Sequence, residues 1–243
     1  MKWQVALNGN AEDLEDLCGI FGSPDLCIIR EETTYFLESS SFDRCPNLPS
    51  LKLEADKLLA SINAAKTLVL SVSEPIRRGP IHRIDENGIK HPYIEKSLTG
   101  KYDILARIPN ISAYGTTEEL PMNQSMPKWI PLIDSNEKVR RVFDLINQDF
   151  NSYIGIYKII EVIKEDNFPP VMRKGEFYNE IKRFKQTAEC DRSIGKEARH
   201  AHSKFKEPEN PMTINQARDM ISEILQMWLN SKIREFGKDF SKF

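Results

Sequence analysis

The sequence predicts an α+β protein, with an N-terminal sheet domain followed by a C-terminal helical bundle. Three observations carry this. The first hundred residues mix short alternating segments with helical ones. A proline-interrupted stretch from Pro109 to Pro131 follows. After it, every apolar pattern has the period of an α-helix. The expected boundaries are a sheet domain over 1–110, a linker over 111–131 and a bundle over 132–243.

In the first part, Trp3, Val5 and Leu7 alternate as a strand does. Ala11 to Phe21 reads as an acidic helix stopped by Gly22 and Pro24. Asp25–Arg30 and Thr33–Ser39 read as two strands across a tight acidic turn. Pro49 to Lys66 places Ala55, Leu58, Leu59, Ile62 and Ala65 on one helical face. Thr67–Ser73 then reads as a buried strand. Asn87-Gly88 favours a two-residue hairpin turn, because both residues accept positive φ. That turn pairs Glu86 with Ile89, Ile84 with His91 and His82 with Tyr93, setting both histidines on one sheet face. Two imidazoles are fewer than a zinc site needs, so no metal site is predicted there. Lys101–Ile108 reads as a further strand.

In the second part, a helix starting near Asp134 or Ser135 carries Val139, Val142, Phe143 and Ile146. A second carries Tyr153, Ile156, Tyr157, Ile160 and Lys164, broken at Pro169-Pro170. A third carries Phe177, Ile181, Phe184 and Ala188. The last begins at a capping box, Thr213-Ile-Asn-Gln216, and presents Ile214, Ala217, Ile221, Ile224, Leu225, Trp228 and Leu229 on one side.

Composition narrows the function classes. Apolar residues make up 40% and charged residues 29% of the 243, with a formal net charge of -2. Such a chain has no global attraction to nucleic acid or acidic membranes, so any attraction must be local. Arg173 to Lys206 supplies a local block, with ten basic and five acidic side chains. Cys18, Cys27, Cys45 and Cys190 form no C-x-x-C pair, and reduced thiols in a cytoplasmic protein are expected. The opening lacks the apolar run of a signal peptide, and no segment approaches a membrane span. There is no Walker A, G-x-G-x-x-G, G-x-S-x-G or H-E-x-x-H motif. No cofactor is therefore implied.

The densest chemistry lies in Gly195-Lys-Glu-Ala-Arg-His-Ala-His-Ser-Lys204. On a helix, His200 and His202 point about 200° apart and cannot share a ligand. In metal-free cleavage of RNA they serve instead as acid and base, with Arg199 on the phosphate. Arg183, Lys185, Arg192, Lys196 and Lys204 are the expected binding residues of the block.

Ile181-Lys-Arg-Phe-Lys-Gln-Thr-Ala188, Gly195-Lys-Glu-Ala-Arg-His200, Pro211-Met212, Ala217 and Trp228-Leu229 together resemble a family of uncharacterised bacterial proteins. Lys2-Trp-Gln and Pro75-Ile76 extend the resemblance, which implies a bacterial source and no particular activity. Where that family has glycine after its arginine-histidine pair, this chain has Ala201. A weaker likeness is to HEPN domains, helical bundles that often cleave RNA. Their motif spaces arginine and histidine by four to six residues. Here Arg192 and His200 are separated by seven, and Arg199 adjoins His200, so only the bundle and a polar cluster agree. The leading expectation is a module binding a nucleic acid or protein partner, through the basic block or the N-terminal sheet. The alternative is a metal-independent, HEPN-like ribonuclease of toxin or phage-defence type.

Overall fold

The computed structural model describes residues 2–70, 74–93, 122–166, 176–195, 198 and 208–240. It shows the α+β architecture, in two compact units that divide between Ile130 and Pro131.

In the first unit, β1 (Lys2–Asn8), β2 (Gly22–Ser23), β3 (Leu26–Glu31), β4 (Thr34–Ser39), β5 (Arg77–Ile84) and β6 (Lys90–Tyr93) form an antiparallel sheet of order β2-β3-β4-β1-β5-β6. Ala6 stands opposite both Gly79 and Pro80, because the register of β1 on β5 shifts between Val5 and Leu7. This bulge accommodates a proline that could not donate to an internal ladder. Pro92 sits on the edge strand β6, where its missing N–H costs nothing.

Helices α1 (Ala11–Ile20) and α2 (Leu48–Val69) pack on one face of this sheet. Tyr35 and Arg30 both bond Glu15 of α1, and Arg78 reaches Asp56 of α2 at 2.8 Å. The core between helices and sheet holds Val5, Leu7, Ile28, Leu37 and Ile81 with Leu14, Leu17, Leu51, Ala55, Leu58 and Ile62. Asn10 caps α1 and Asn47 caps α2, each through a side-chain oxygen accepting backbone N–H groups.

The strand expected over Thr67–Ser73 is corrected. Residues 67–69 continue α2, and 71–73 lie outside the described residues. Thr67 donates to the Asn63 carbonyl one turn back, at 3.0 Å, and Leu68 stays on the buried stripe. Helical spacing therefore overrides the β-favouring composition of this run. Asn63 then takes the place of a strand neighbour, donating to the Ile76 carbonyl and accepting from its N–H at 2.8 and 2.7 Å.

The hairpin at Asn87-Gly88 forms, with a three-residue loop instead of two. Asp85 N–H donates to the Ile89 carbonyl, Gly88 N–H to the Asp85 carbonyl, and Gly88 alone takes the left-handed conformation, at φ 79°. The Asp85 side chain accepts from Asn87 and Ile89 N–H, both at 2.9 Å, and selects this loop. The register consequently shifts by one residue. His91 pairs with Arg83, and His82 with Pro92. A one-residue slip reverses every side chain, so His82 and His91 lie on opposite faces. Lys101–Ile108 lies outside the described residues.

The helical region comprises α3 (Met122–Ser135), α4 (Glu137–Asp149), α5 (Tyr153–Glu165), α6 (Glu176–Glu189), a short α7 (Asp191–Ile194) and α8 (Ile214–Phe240). The second half of the expected linker is corrected, since 122–131 is helix. Pro127 and Pro131 stand four apart, so Pro131 lacks the N–H that would have bonded the Pro127 carbonyl. Burial of Met126, Trp129, Ile130 and Ile133 at helical spacing outweighs that loss. Residues 111–121 and Pro169-Pro170 lie outside the described residues.

The capping box of α8 is present. Gln216 N–H donates to Thr213 Oγ1 at 3.3 Å, and Thr213 N–H to Gln216 Oε1 at 3.1 Å. The second unit's core holds Val142, Phe143, Ile156, Ile160, Phe184, Ile221, Leu225 and Trp228. Thr187 ties α6 to the entry of α8, accepting from Met212 N–H at 3.0 Å while donating to the Arg183 carbonyl. Thr187→Val keeps the shape and strands a buried N–H. It should lower unfolding stability by about 1–3 kcal/mol in a denaturant titration.

Candidate functional site

The residues singled out by sequence fare differently. Arg199, His200, His202, Lys196 and Lys204 lie outside the described residues. Arg183 is committed to the fold. It donates to the Asn210 carbonyl at 2.9 Å, to the Glu180 carboxylate and, at 3.0 Å, to Gln216 Oε1, which itself serves the α8 capping box. Lys185 is half-buried, 5.1 Å above the Tyr157 ring. Burial lowers its pKa first and the neighbouring Lys164 second, while Glu161 and Glu189 oppose them. Arg192 is exposed on α7.

The strongest convergence of polar groups among the described residues lies on the other face of the sheet, away from α1 and α2. Strand pairing places Lys2, Gln4 and Ala6 of β1 on this face. Cys27, Ile29 and Glu31 of β3 join them, with Phe36 and Glu38 of β4, His82 and Ile84 of β5, and Lys90 of β6. Lys90 and Glu31 form an ion pair, although β4, β1 and β5 run between their strands. Four strand spacings in a flat sheet amount to about 19 Å. The pair therefore closes only because the sheet curls strongly toward this side, making the face concave. The centre of the face is buried: Gln4 is 2% exposed, Ala6 and Phe36 6%, and Glu38 8%.

Gln4 is the hub of the face. Its Nε2 donates to Glu38 Oε1 at 2.6 Å and to Glu31 Oε1 at 3.2 Å. Each carboxylate has its own lysine, Lys2 on Glu38 at 2.6 Å and Lys90 on Glu31. Cys27 donates its thiol to Glu38 Oε2 at 3.5 Å. Lys90 Nζ also lies 4.2 Å from the centre of the Phe36 ring, and His82 meets that ring edge-on at 5.4 Å. Ala6, on the strand between them, is small enough to permit this contact.

Two buried atoms of this face have no hydrogen-bond partner among the described residues: Gln4 Oε1 and His82 Nδ1, on residues directly opposed across β1 and β5. Buried polar atoms are ordinarily paired, so this face has acceptor capacity to spare.

Its electrostatics agree. Burial pushes the Glu38 carboxyl up, but the hydrogen bonds from Gln4 and Lys2 outweigh it and hold its pKa below the usual value. The Lys90 hydrogen bond does the same for Glu31. Burial lowers the His82 pKa, with Lys90 adding to it, so the ring is neutral near pH 7. Burial, then the Glu38 charge, keeps Cys27 a thiol. Depressed carboxylate pKa values contribute stability that is present above the unfolded value and lost as pH falls through the folded one. Acid titration of folding should thus show a loss below about pH 4 that Gln4→Leu moves upward, read by circular dichroism.

Composition and spacing gave no warning of this network. Its sequence signal is a charged or amide residue at alternate strand positions, as at Lys2 and Gln4. Among the described residues no group of three or more His, Cys, Asp or Glu side chains is placed to hold a metal ion, and no helix is long and apolar enough to cross a membrane. The chain matches no protein-family model, no curated protein and no solved structure.

Proposed function

We propose that the protein is a binding module whose recognition surface is the concave face of the N-terminal sheet. The observation that carries this is the buried Gln4 amide, which joins two carboxylates through its nitrogen and leaves its oxygen unpaired. Polar groups with unused capacity, set in a concave face beside an aromatic ring, match what ligand sites present. The basic block of the helical unit is the weaker surface among the described residues. Arg183 is spent on the α8 cap, and Lys185 is flanked by Glu161 and Glu189.

A photo-crosslinking side chain placed at Ile84, half-buried on the concave face, tests this against one at Leu53, 73% exposed on α2. A discrete partner captured in cells from position 84 and not from position 53 supports the reading. Capture from position 53 alone, or salt-dependent RNA binding that disappears with Lys185→Ala/Arg192→Ala, overturns it in favour of another surface.

A further inference from the structure

Resting on that reading, we infer that the concave face recognises a protonated lysine or arginine side chain of a partner polypeptide, and that Lys90 holds this position in the free protein. The chemistry of the face is that of a cation site. Phe36 offers an aromatic face, Glu31 and Glu38 offer negative charge, and the unpaired Gln4 Oε1 offers a further acceptor. A neutral imidazole can add Nδ1 of His82 as another. An ammonium over an aromatic ring and beside a carboxylate is held by both the ring quadrupole and the ion pair.

One ammonium already occupies part of this arrangement, that of Lys90, 4.2 Å from the Phe36 ring and paired with Glu31. It leaves Gln4 Oε1 and His82 Nδ1 unserved. Lys90 comes from the short edge strand β6, directly after the Asp85–Ile89 turn, and keeps 29% of its side chain exposed. It is thus the component of the network that can withdraw with least disturbance to the sheet. An incoming cation that reaches the ring and the carboxylate, and also the two unserved acceptors, has more partners than Lys90 has.

Occupation by Lys90 lowers the apparent affinity by the fraction of time the site is free. If that fraction is about one tenth, removing Lys90 raises affinity about ten-fold. The probe is Nα-acetyl-lysine N-methylamide, with the norleucine analogue as its uncharged counterpart. The readouts are the NMR signals of the Gln4 side-chain amide and the His82 ring. Lys90→Met should bind the lysine probe about ten-fold more tightly than the parent, and Phe36→Leu in that background should reverse the gain. Glu31→Gln, which releases Lys90 without touching it, keeps the test alive if Lys90→Met does not fold. It should mobilise the Lys90 side chain and, with one carboxylate of the site gone, bind the lysine probe less tightly than the parent does.

Equal response to the norleucine analogue, or no response in any folded variant, overturns the cation assignment. If position 84 still crosslinks a partner, only the ligand class has failed. If it does not, the recognition surface has failed with it.

Discussion

Gly155→Ala should unfold the α4–α5 corner, with a loss of about 3 kcal/mol or more, above the usual range for an overfilled core. A Cβ built at Gly155 falls 1.7 Å from the Asp149 carbonyl oxygen and 2.7 Å from its carbon. Both are backbone atoms, so no rotamer change relieves the clash. The corner is also tied by its caps. Ser152 accepts from Gly155 N–H at 2.9 Å, its hydroxyl donates to the Asp149 carboxylate, and its N–H reaches the Asp149 carbonyl. Moving α5 away breaks these bonds and disturbs Ile156, Ile159, Ile160 and Ile163, none of them measurably exposed. For a chain of this size, a melting midpoint at least about 6–12 °C lower follows. Differential scanning calorimetry checks it, and a midpoint equal to the parent's would show that the corner is not this tight.

That corner shows why part of the structure was legible in the sequence and part was not. The helices α4, α5, α6 and α8 follow from apolar spacing, which local chemistry fixes. The Thr213–Gln216 box follows for the same reason. The hairpin failed by one residue because Asn87-Gly88 permits two loop lengths, and the choice fell to the Asp85 side chain outside the dipeptide. That single slip separated His82 from His91, while the pairing of β1 with β5 sets His82 opposite Gln4. The concave face was invisible because its members come from five strands, and its two ends meet only through curl. Lys90 and Glu31 are 59 positions apart. Alternation in a strand tells which residues share a face, but not how far that face bends. Helix α3 was missed because its prolines were read as breakers, whereas burial of Trp129 and Ile130 decides.

The second large effect concerns a buried ion pair. Lys66 of α2 is 1% exposed and Asp13 of α1 is not measurably exposed. Lys66 Nζ lies 3.1 Å from Asp13 Oδ2 and donates to the Glu74 carbonyl at 2.7 Å. The lysine therefore joins α1 and α2 to the segment entering β5. Removing Asp13 takes a counter-charge away from the buried Lys66, so Asp13→Ala should cost about 3–5 kcal/mol. Replacing both partners removes the desolvation penalty as well as the attraction. Asp13→Ala/Lys66→Met should hence be more stable than Asp13→Ala alone, because the methionine chain fills the space without a charge to hydrate. With Lys66→Met alone added, the three variants and the parent form a double-mutant cycle, measured by urea unfolding. A strongly positive coupling energy identifies the pair as the restraint between α1 and α2. Additive losses would instead assign the cost to side-chain packing, because the charges would then contribute nothing jointly.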